Sequence, residues 1–305
     1  MIKFIKSKDQ NAYHGKRFDK TKLPDLDSAG FLSASTLSKA GDMFKFMSLD
    51  DTPPTSDMAW GSLVDLMWLT PEDWDDHVVL IPKDAPKRPT KTQIESPRPT
   101  AIALERINYW KSFDEKCFGK MAIAQPLKEE VEKAVSNLEA HPLSKHIKKS
   151  SEAQVILEGD SDELHPGSKS IKVKAMMDLL PKSGTLNVNE KEIDLETCVV
   201  DLKQTNDISM FGMKKAMRTF EYPLKTKWYL KMLQAAGETK RVNAILIFQH
   251  SKPPYDIRVI QIDPSDLDRA DEEIIRRIDS MRSIDPKDLT TLFETSVPIV
   301  TTQFK

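Results

Sequence analysis

The sequence predicts an α/β fold, in which a mixed central sheet is flanked by helices and preceded by an N-terminal helical part. From residue 150 onward, strand-like and helix-like segments follow one another in the order β-β-β-α-α-β-β-α. Before residue 150, apolar residues recur mainly at the helical spacing of three and four positions. A sheet covered by helices buries the apolar faces of both kinds of element.

The composition is that of a globular protein. Of 305 residues, 39% are hydrophobic and 30% are charged, and the formal net charge of −2 excludes a generally basic DNA-coating protein. It permits positive charge concentrated in one groove. Cys117 and Cys198 are too few for a disulfide framework or an iron–sulfur cluster, which indicates a reducing compartment. We find no signal-peptide pattern and no apolar run of the ~20 residues that a membrane helix needs, so we expect a cytoplasmic protein with no membrane partner.

The domain organisation is predicted from a change of character near residue 150. The length allows about two domains, but one elaborated α/β domain fits the pattern equally well. We predict an N-terminal arm over residues 1–30 and a single domain over residues 31–305. Within that domain, a helical part covers residues 31–150 and the core covers residues 151–305.

Helices are predicted in the helical part on both sides of a proline-rich loop. Serine N-caps precede an apolar pattern that continues to Met47, and a second helix over residues 56–69 ends before Pro71. Five prolines within residues 82–100 exclude a regular helix or a central strand and predict a loop. Two further helices are predicted, at about 101–112 and 126–140.

The core is predicted to begin with strands. Residues 171–179 alternate between apolar and polar side chains, which is typical of a half-buried strand. Pro181 and Gly184 then turn the chain. The other predicted strands cover 152–158, 197–202, 242–249 and 257–262, and the predicted helices cover 207–220, 222–236 and a segment that opens after Pro264.

Three polar side chains fall at the ends of two successive predicted strands. Asp201 and Lys203 are two residues apart, so both side chains leave the same face of the sheet. Asp178 ends the preceding strand, and antiparallel pairing would bring it beside Asp201. Such a group suits phosphodiester hydrolysis, in which carboxylates hold Mg²⁺ while the lysine orients water or stabilises developing charge. For an isolated Asp-x-Lys tripeptide, a solvated ion pair is the more common explanation.

The surrounding pattern favours a nuclease. An apolar strand with Asp178 near its end, a hairpin-like excursion, and an apolar strand that carries Asp201-Leu202-Lys203 together resemble the PD-(D/E)XK nuclease superfamily. Within it, the sequence is most similar to RecE-like exonucleases of the RecB-like branch. The likeness is densest over residues 152–229 and extends more thinly back to about Leu32.

The resemblance implies roles for single residues. Asp178 and Asp201 would be metal ligands, the Leu202 carbonyl a further ligand, and Lys203 the catalytic lysine. Glu152 matches the upstream acidic position of the family, although an exposed carboxylate at a strand end explains it equally well.

The sequence departs from the family pattern at two positions. Where the family often has a histidine ligand four residues after a glycine, this chain has Gly61 followed by Asp65. Aspartate is an acceptable ligand for Mg²⁺, and a surface carboxylate is the alternative. The Gln-x-x-x-Tyr helix of the family has Lys225 in place of glutamine, with Tyr222, Lys225 and Tyr229 on one helix face. Lysine there suits a phosphate contact or an altered activity.

The region after Asp201 predicts a DNA-binding surface. Seven basic and three acidic residues lie between Asp201 and Lys231, in a chain of net charge −2. Phosphate contacts supply the sequence-independent affinity that an end-processing nuclease needs. A solvated helix face is the alternative. The predicted DNA contacts are Lys214, Lys215, Arg218, Tyr222, Lys225 and Tyr229, and the apolar stripe predicted to be buried on the first helix is Met210, Met213, Met217 and Phe220.

The resemblance also implies an activity. The expected protein is a Mg²⁺-dependent exodeoxyribonuclease, with Mn²⁺ as a substitute, which digests linear double-stranded DNA ends from 5′ to 3′ and leaves 3′ overhangs for recombination. A single-strand annealing protein is an expected partner, a ring-shaped homo-oligomer the expected assembly, and a phage the typical source. Two alternatives stay open: a DNA repair or CRISPR-associated nuclease of other polarity, and a non-catalytic DNA-binding protein on a nuclease scaffold.

Overall fold

A computed structural model describes residues 1–5, 10–22, 28–42, 46, 55–167, 169–188 and 191–283. The chain divides into two units, the first formed by Met1–Pro53 with Pro142–Lys305 and the second by Pro54–His141. The predicted arm and the single domain over residues 31–305 stay predictions. Among the described residues, no helix has both the length and the apolar character needed to cross a bilayer.

The strands and helices are named here in chain order. The strands are β1 (Lys3–Ile5), β2 (Val78–Leu80), β3 (Met121–Ile123), β4 (Ser151–Asp160), β5 (Lys172–Pro181), β6 (Thr185–Val188), β7 (Lys191–Asp194), β8 (Cys198–Thr205), β9 (Asn243–His250) and β10 (Ile257–Gln261). The helices are α1 (Gln10–Gly15), α2 (Ala34–Lys39), α3 (Ser56–Leu69), α4 (Trp74–His77), α5 (Lys91–Ile94), α6 (Ala101–Lys116), α7 (Gln125–Ala140), α8 (Pro142–Lys149), α9 (Met210–Thr219), α10 (Tyr222–Ala235) and α11 (Pro264–Ser283).

A six-stranded mixed sheet lies at the centre of the first unit, in the order β1-β4-β5-β8-β9-β10. Strands β8 and β9 run parallel, and the other neighbours run antiparallel. Helix α10 packs against β5, β8 and β9, and helix α11 packs against α10. The predicted mixed sheet flanked by helices is therefore confirmed, and each strand predicted after residue 150 is present within two or three residues of its predicted bounds.

Burial of their apolar side chains explains why β5 and β8 lie inside the sheet. On β5, Val173, Ala175 and Met177 are fully buried, as is Val199 on β8. Trp228 of α10 is also fully buried, and its Nε1 atom donates a hydrogen bond to the carbonyl oxygen of Lys174 at 3.0 Å. This bond satisfies the one polar atom of a large apolar side chain, and it fixes α10 across the sheet.

The second unit contains the predicted helices on both sides of the proline-rich loop. Helix α3 begins after Thr55, whose side chain accepts a hydrogen bond from the amide of Met58. Helix α3 packs against α7, and β2 pairs with β3 in parallel. Residues 82–100 were predicted to form a loop without helix. That prediction is wrong at Lys91–Ile94, where α5 forms a single helical turn. A capping box between Thr90 and Gln93 stabilises that turn between the prolines.

At the N-terminal end, short elements are present that the sequence pattern did not predict. The predicted arm contains α1 and the edge strand β1, which pairs with β4 through Phe4 opposite Leu157. A strand of three residues has too short a pattern to be read from sequence, and the sheet edge supplies its partner. Helix α2 has its N-cap at Ser33, as predicted. The helix ends at Lys39 with Ala40 as its C-cap, short of the predicted end at Met47. Residues 43–45 and 47 of the predicted helix lie outside the described residues.

Candidate active site

Strand pairing brings Asp178 and Asp201 together. The two strands β5 and β8 run antiparallel with Leu179 opposite Val200, so Asp178 and Asp201 occupy adjoining positions on the same face. The hairpin of β6 and β7 forms the excursion that connects the two strands. The antiparallel arrangement expected from the sequence is present.

Lys203 lies between the two carboxylates. Its Nζ atom is 2.5 Å from Oδ2 of Asp201 and 4.0 Å from Oδ2 of Asp178. The same Nζ atom donates a hydrogen bond to the carbonyl oxygen of Leu202 at 3.0 Å. The amide of Leu202 donates to Oδ2 of Asp178 at 2.8 Å. Asp178, Asp201, Leu202 and Lys203 therefore form one connected group.

Burial makes this group unlike a surface ion pair. The exposed fraction of the side chain is 3% for Asp201, 13% for Asp178 and 21% for Lys203. Within the described part of the chain, Oδ2 of Asp201 accepts no hydrogen bond, although the ammonium of Lys203 is near it. A buried carboxylate is costly unless a cation is close, and the ammonium of Lys203 supplies that charge.

The donor set fits a hard divalent cation. Two carboxylates and the carbonyl of Leu202 offer oxygen ligands, and Mg²⁺ is commonly held by one or two carboxylates while it retains several waters. Among the described residues, no three side chains of His, Cys, Asp or Glu are grouped as a metal site. A cation bound here would therefore depend on Asp178, Asp201, a backbone carbonyl and water.

The tyrosines and the lysine of α10 face this group. The Nζ atoms of Lys203 and Lys225 lie 5.5 Å and 5.7 Å from the centre of the Tyr222 ring. Burial, together with the charge of Lys203, lowers the pKa of Lys225 to about 8, against the opposing effect of Asp201. Burial raises the pKa of Tyr229 well above its ordinary value, and the charges of Asp201 and Asp178 raise it further. The predicted helix face thus lies within the field of both carboxylates.

The start of α10 is held by a residue that the sequence analysis missed. Glu221 adopts a left-handed backbone with φ of 51°, which is uncommon for a residue other than glycine. Its carboxylate accepts hydrogen bonds from Arg277 at 2.7 Å and from Oγ of Ser38 at 2.9 Å. Buried Arg277 also donates to the carbonyl oxygen of Leu37. Helices α2 and α11 thereby fix the point at which α10 begins.

Gln154 is a second residue that the sequence analysis missed. The pairs on either side of it, Ala153 with Leu179 and Val155 with Met177, place it opposite Asp178. Its φ is 52°, and in the part of the chain that is described its buried Oε1 atom has no hydrogen-bond partner. Left-handed backbone costs a residue other than glycine about 1–2 kcal/mol, and such strain is concentrated at functional sites. A glutamine in a strand carries no sequence signal for this conformation.

Predicted catalytic Glu152 takes no part in these contacts, and the predicted metal ligand Asp65 lies in the second unit. Glu152 of β4 stands opposite Leu180, its side chain is 54% exposed, and its Oε2 atom lies 3.2 Å from Nζ of Lys182. Asp65 is half-buried on α3, in the second unit, among buried Leu63, Val64 and Leu66. The metal-binding or catalytic roles of Glu152 and Asp65 stay predictions.

Three of the six predicted DNA contacts lie on helix α9, whereas Tyr222, Lys225 and Tyr229 lie on α10, where Tyr222 is only 7% exposed. Lys214, Lys215 and Arg218 are all exposed. The predicted buried stripe is correct for Met213, which is 2% exposed, but wrong for Met210 and Phe220, which are 59% and 53% exposed. Met210 is the first residue of α9 and Phe220 is its C-cap, so both lie at the ends of the helix.

A mixed α/β sheet with two carboxylates and a lysine on adjoining strands defines the class of fold and site. No family model and no curated protein matches the chain. The crystal structure of a "Putative exonuclease" from Eubacterium rectale is similar at 14% identity and a TM-score of 0.51, covering 91% of this chain and 85% of that chain. The crystal structure of SSO0001 has 16% identity and covers 56% of this chain and 69% of that chain. Its TM-score of 0.26 supports no argument. The first likeness shows a shared fold.

Proposed function

We propose that this chain is a metal-dependent nuclease of the PD-(D/E)XK superfamily that hydrolyses DNA. The observation that carries the proposal is the group in which Asp178 and Asp201, from antiparallel strands, meet the ammonium of Lys203 at a buried position. The shared fold with the Eubacterium rectale protein, whose name includes exonuclease, supports the same class of activity.

The residues divide the work as follows. Asp178, Asp201 and the Leu202 carbonyl would hold Mg²⁺ or Mn²⁺, which when bound polarises a phosphate and lowers the pKa of water. Lys203 donates hydrogen bonds and stabilises negative charge that develops on the phosphate. Lys225, on the helix face opposite the carboxylates, keeps most of its positive charge at neutral pH because its pKa of about 8 lies above that pH. In this proposal it would bind a neighbouring phosphate.

At a finer level, we propose a RecE-like exonuclease. It would digest linear duplex from 5′ to 3′ and deliver a 3′ single strand to an annealing protein. The run from Asp201 through Lys203 into the tyrosines of α10 supports this subclass, as does a helix of exposed cations directly after the catalytic strand. A ring-shaped homo-oligomer and a phage source belong to the same proposal.

The test is hydrolysis of linear duplex DNA labelled at either the 5′ or the 3′ end, with Mg²⁺. We expect rapid release of the 5′ label, and a rate reduced by about 10²-fold or more in Asp201→Ala and Lys203→Ala. Exposed Lys240 precedes β9, at the end of the sheet away from Thr205, so Lys240→Ala serves as the matched control. Release of the 3′ label would favour a repair or CRISPR-associated nuclease, and stable binding without cleavage would favour a non-catalytic protein.

A direct test of the metal ligands is the melting temperature with increasing Mn²⁺ or Mg²⁺. A ligand that binds only the folded state raises stability by RT ln(1 + [L]/Kd), about 2.7 kcal/mol at a hundredfold excess over Kd. We expect this rise in the wild type and its loss in Asp178→Asn and Asp201→Asn. If neither Mn²⁺ nor Mg²⁺ changes the melting temperature of the wild type, the proposed metal site is contradicted.

A further inference from the structure

Helix α9 carries an exposed aromatic ring in line with three cations. Phe211 is 77% exposed, and Lys214, Lys215 and Arg218 follow it at the third, fourth and seventh positions. Residues at these spacings share one face of a helix. The opposite face, with Gly212 and Met213, is buried. The four exposed side chains are called the α9 stripe below.

The α9 stripe is fixed rigidly to the strand that carries the catalytic group. Oγ1 of Thr205, the last residue of β8, donates to the carbonyl oxygen of Asp207 at 3.1 Å. Oδ1 of Asp207 accepts from the amide of Ser209 at 2.9 Å, and Oγ of Ser209 accepts from the amide of Gly212 at 3.0 Å. Asp207 also packs so closely on Gly212 that no larger residue fits there without a shift. The first turn of α9 therefore has a defined place relative to Asp201 and Lys203.

The charge of the α9 stripe selects a polyanion. Helix α9 contains no acidic residue, and the charge of Asp207 acts near Lys215 as the local counter-charge. An anionic chain would meet three cations within two turns. The partner should also cover Phe211, because moving an exposed apolar ring out of water is favourable. A DNA strand offers both features, since its phosphates alternate with bases that stack on aromatic rings.

We propose that the α9 stripe binds an unpaired DNA strand, with one base stacked on Phe211 and the flanking phosphates on Lys214, Lys215 and Arg218. A paired base has its faces covered by its neighbours in the duplex, so the ring requires an unpaired nucleotide or an end. The inference rests on the proposed function for its ligand, DNA. It adds a contact for the single strand that extends from the catalytic group.

The test is fluorescence anisotropy of a labelled oligothymidylate, and of a blunt duplex of equal length, in EDTA to prevent cleavage. Stacking contributes about 1–3 kcal/mol per base, so we expect Phe211→Ala to weaken oligothymidylate binding about tenfold. Phe211→Leu keeps apolar area but has no aromatic face, and it should be equally weak. Phe211→Trp should bind at least as well as the wild type.

Phe4→Ala is the control for loss of a ring. Phe4 is 40% exposed on β1, three strands from β8 in the same unit, and its removal should leave oligothymidylate affinity unchanged. Full affinity in Phe211→Ala, or in Phe211→Leu, overturns the stacking contact. If the wild type cleaves duplex while Phe211→Ala binds normally, the inference fails and the nuclease proposal stands. A wild type that binds neither DNA overturns the inference, and the cleavage assay with Mg²⁺ then decides the nuclease proposal separately. Binding that depends on Phe211 without cleavage overturns only the nuclease.

Discussion

Asp201 lies at the centre of the candidate chemistry because a buried carboxylate needs a cation. Its side chain is 3% exposed, and the ammonium of Lys203 is 2.5 Å away. Gln154, opposite Asp178, adds a strained backbone and a buried amide oxygen to the same place. At this scale, backbone strain and a buried ion pair lie together, as is common at functional sites.

The ion pair gives a prediction for stability without metal. Lys203→Met removes the cation beside buried Asp201, and loss of one partner of a buried pair costs about 3 kcal/mol or more. In urea unfolding with EDTA, we expect Lys203→Met to be destabilised by about that amount. Adding Asp201→Asn should restore most of the loss, because it removes the unpaired charge. If Lys203→Met and the wild type have equal free energies of unfolding, the ion pair of Lys203 and Asp201 does not stabilise the folded protein.

At the scale of elements, the position of α10 depends on a network outside the sheet. Arg277 of α11 donates hydrogen bonds to Glu221 and Glu273 and to backbone carbonyls of α2. Hydrogen bonds from Arg276 lower the pKa of Glu273 to about 2, assisted by Arg277 and opposed by burial. Burial raises the pKa of Glu221, but hydrogen bonds from Arg277 and Ser38 together have a larger effect. The pKa of Glu221 is therefore also lowered from its ordinary value. Three helices that are distant in sequence therefore share one buried guanidinium.

This network gives a prediction for acid stability. A carboxyl whose pKa is lower in the folded than in the unfolded protein stabilises the fold above its ordinary pKa. For Glu273 that contribution is lost as the pH falls from about 4.5 toward about 2. Glu273→Gln should be less stable than the wild type at neutral pH and should lose less stability over this window, as measured by urea unfolding. Exposed Glu272→Gln, on the same helix, should follow the wild type; identical pH profiles for all three would contradict the network.

At the scale of the whole molecule, charge is distributed unevenly. The chain has a net charge of −2, whereas the exposed face of α9 carries Lys214, Lys215 and Arg218 without an acid on that helix. A near-neutral protein does not bind polyanions over its whole surface, so affinity for DNA should depend on such local groups.

Salt dependence measures the contribution of this local charge. Each phosphate contact contributes about 0.7 to the slope of log K against log salt for single-stranded DNA. For oligothymidylate, the combined change Lys214→Gln, Lys215→Gln and Arg218→Gln should therefore reduce the slope by about two. Lys240→Gln, at the end of the sheet away from Thr205, should leave it unchanged. A slope unaffected by the triple change would exclude the α9 helix as a phosphate-binding surface.

Much of the fold was predictable because periodicity is a local property. The alternation over β5 and the caps and prolines around α3 depend on neighbours in sequence, and both elements were predicted close to their bounds. The single turn α5 and the edge strand β1 were not, because a few residues carry too little pattern. The end positions of the Met stripe were also mispredicted, since burial of Met210 and Phe220 depends on what a helix packs against.

By itself, the sequence determined the order of the main strands and helices after residue 150 and the spacing of Asp201 and Lys203 on one strand face. Only the tertiary structure decided that β5 pairs with β8 in the register that sets Asp178 beside Asp201. It also decided that Glu221 anchors α10 and that Gln154 is strained opposite Asp178. The physical reason is range: propensity and periodicity act over a few residues, whereas register, burial and long-distance hydrogen bonds depend on segments that meet only when the chain has folded.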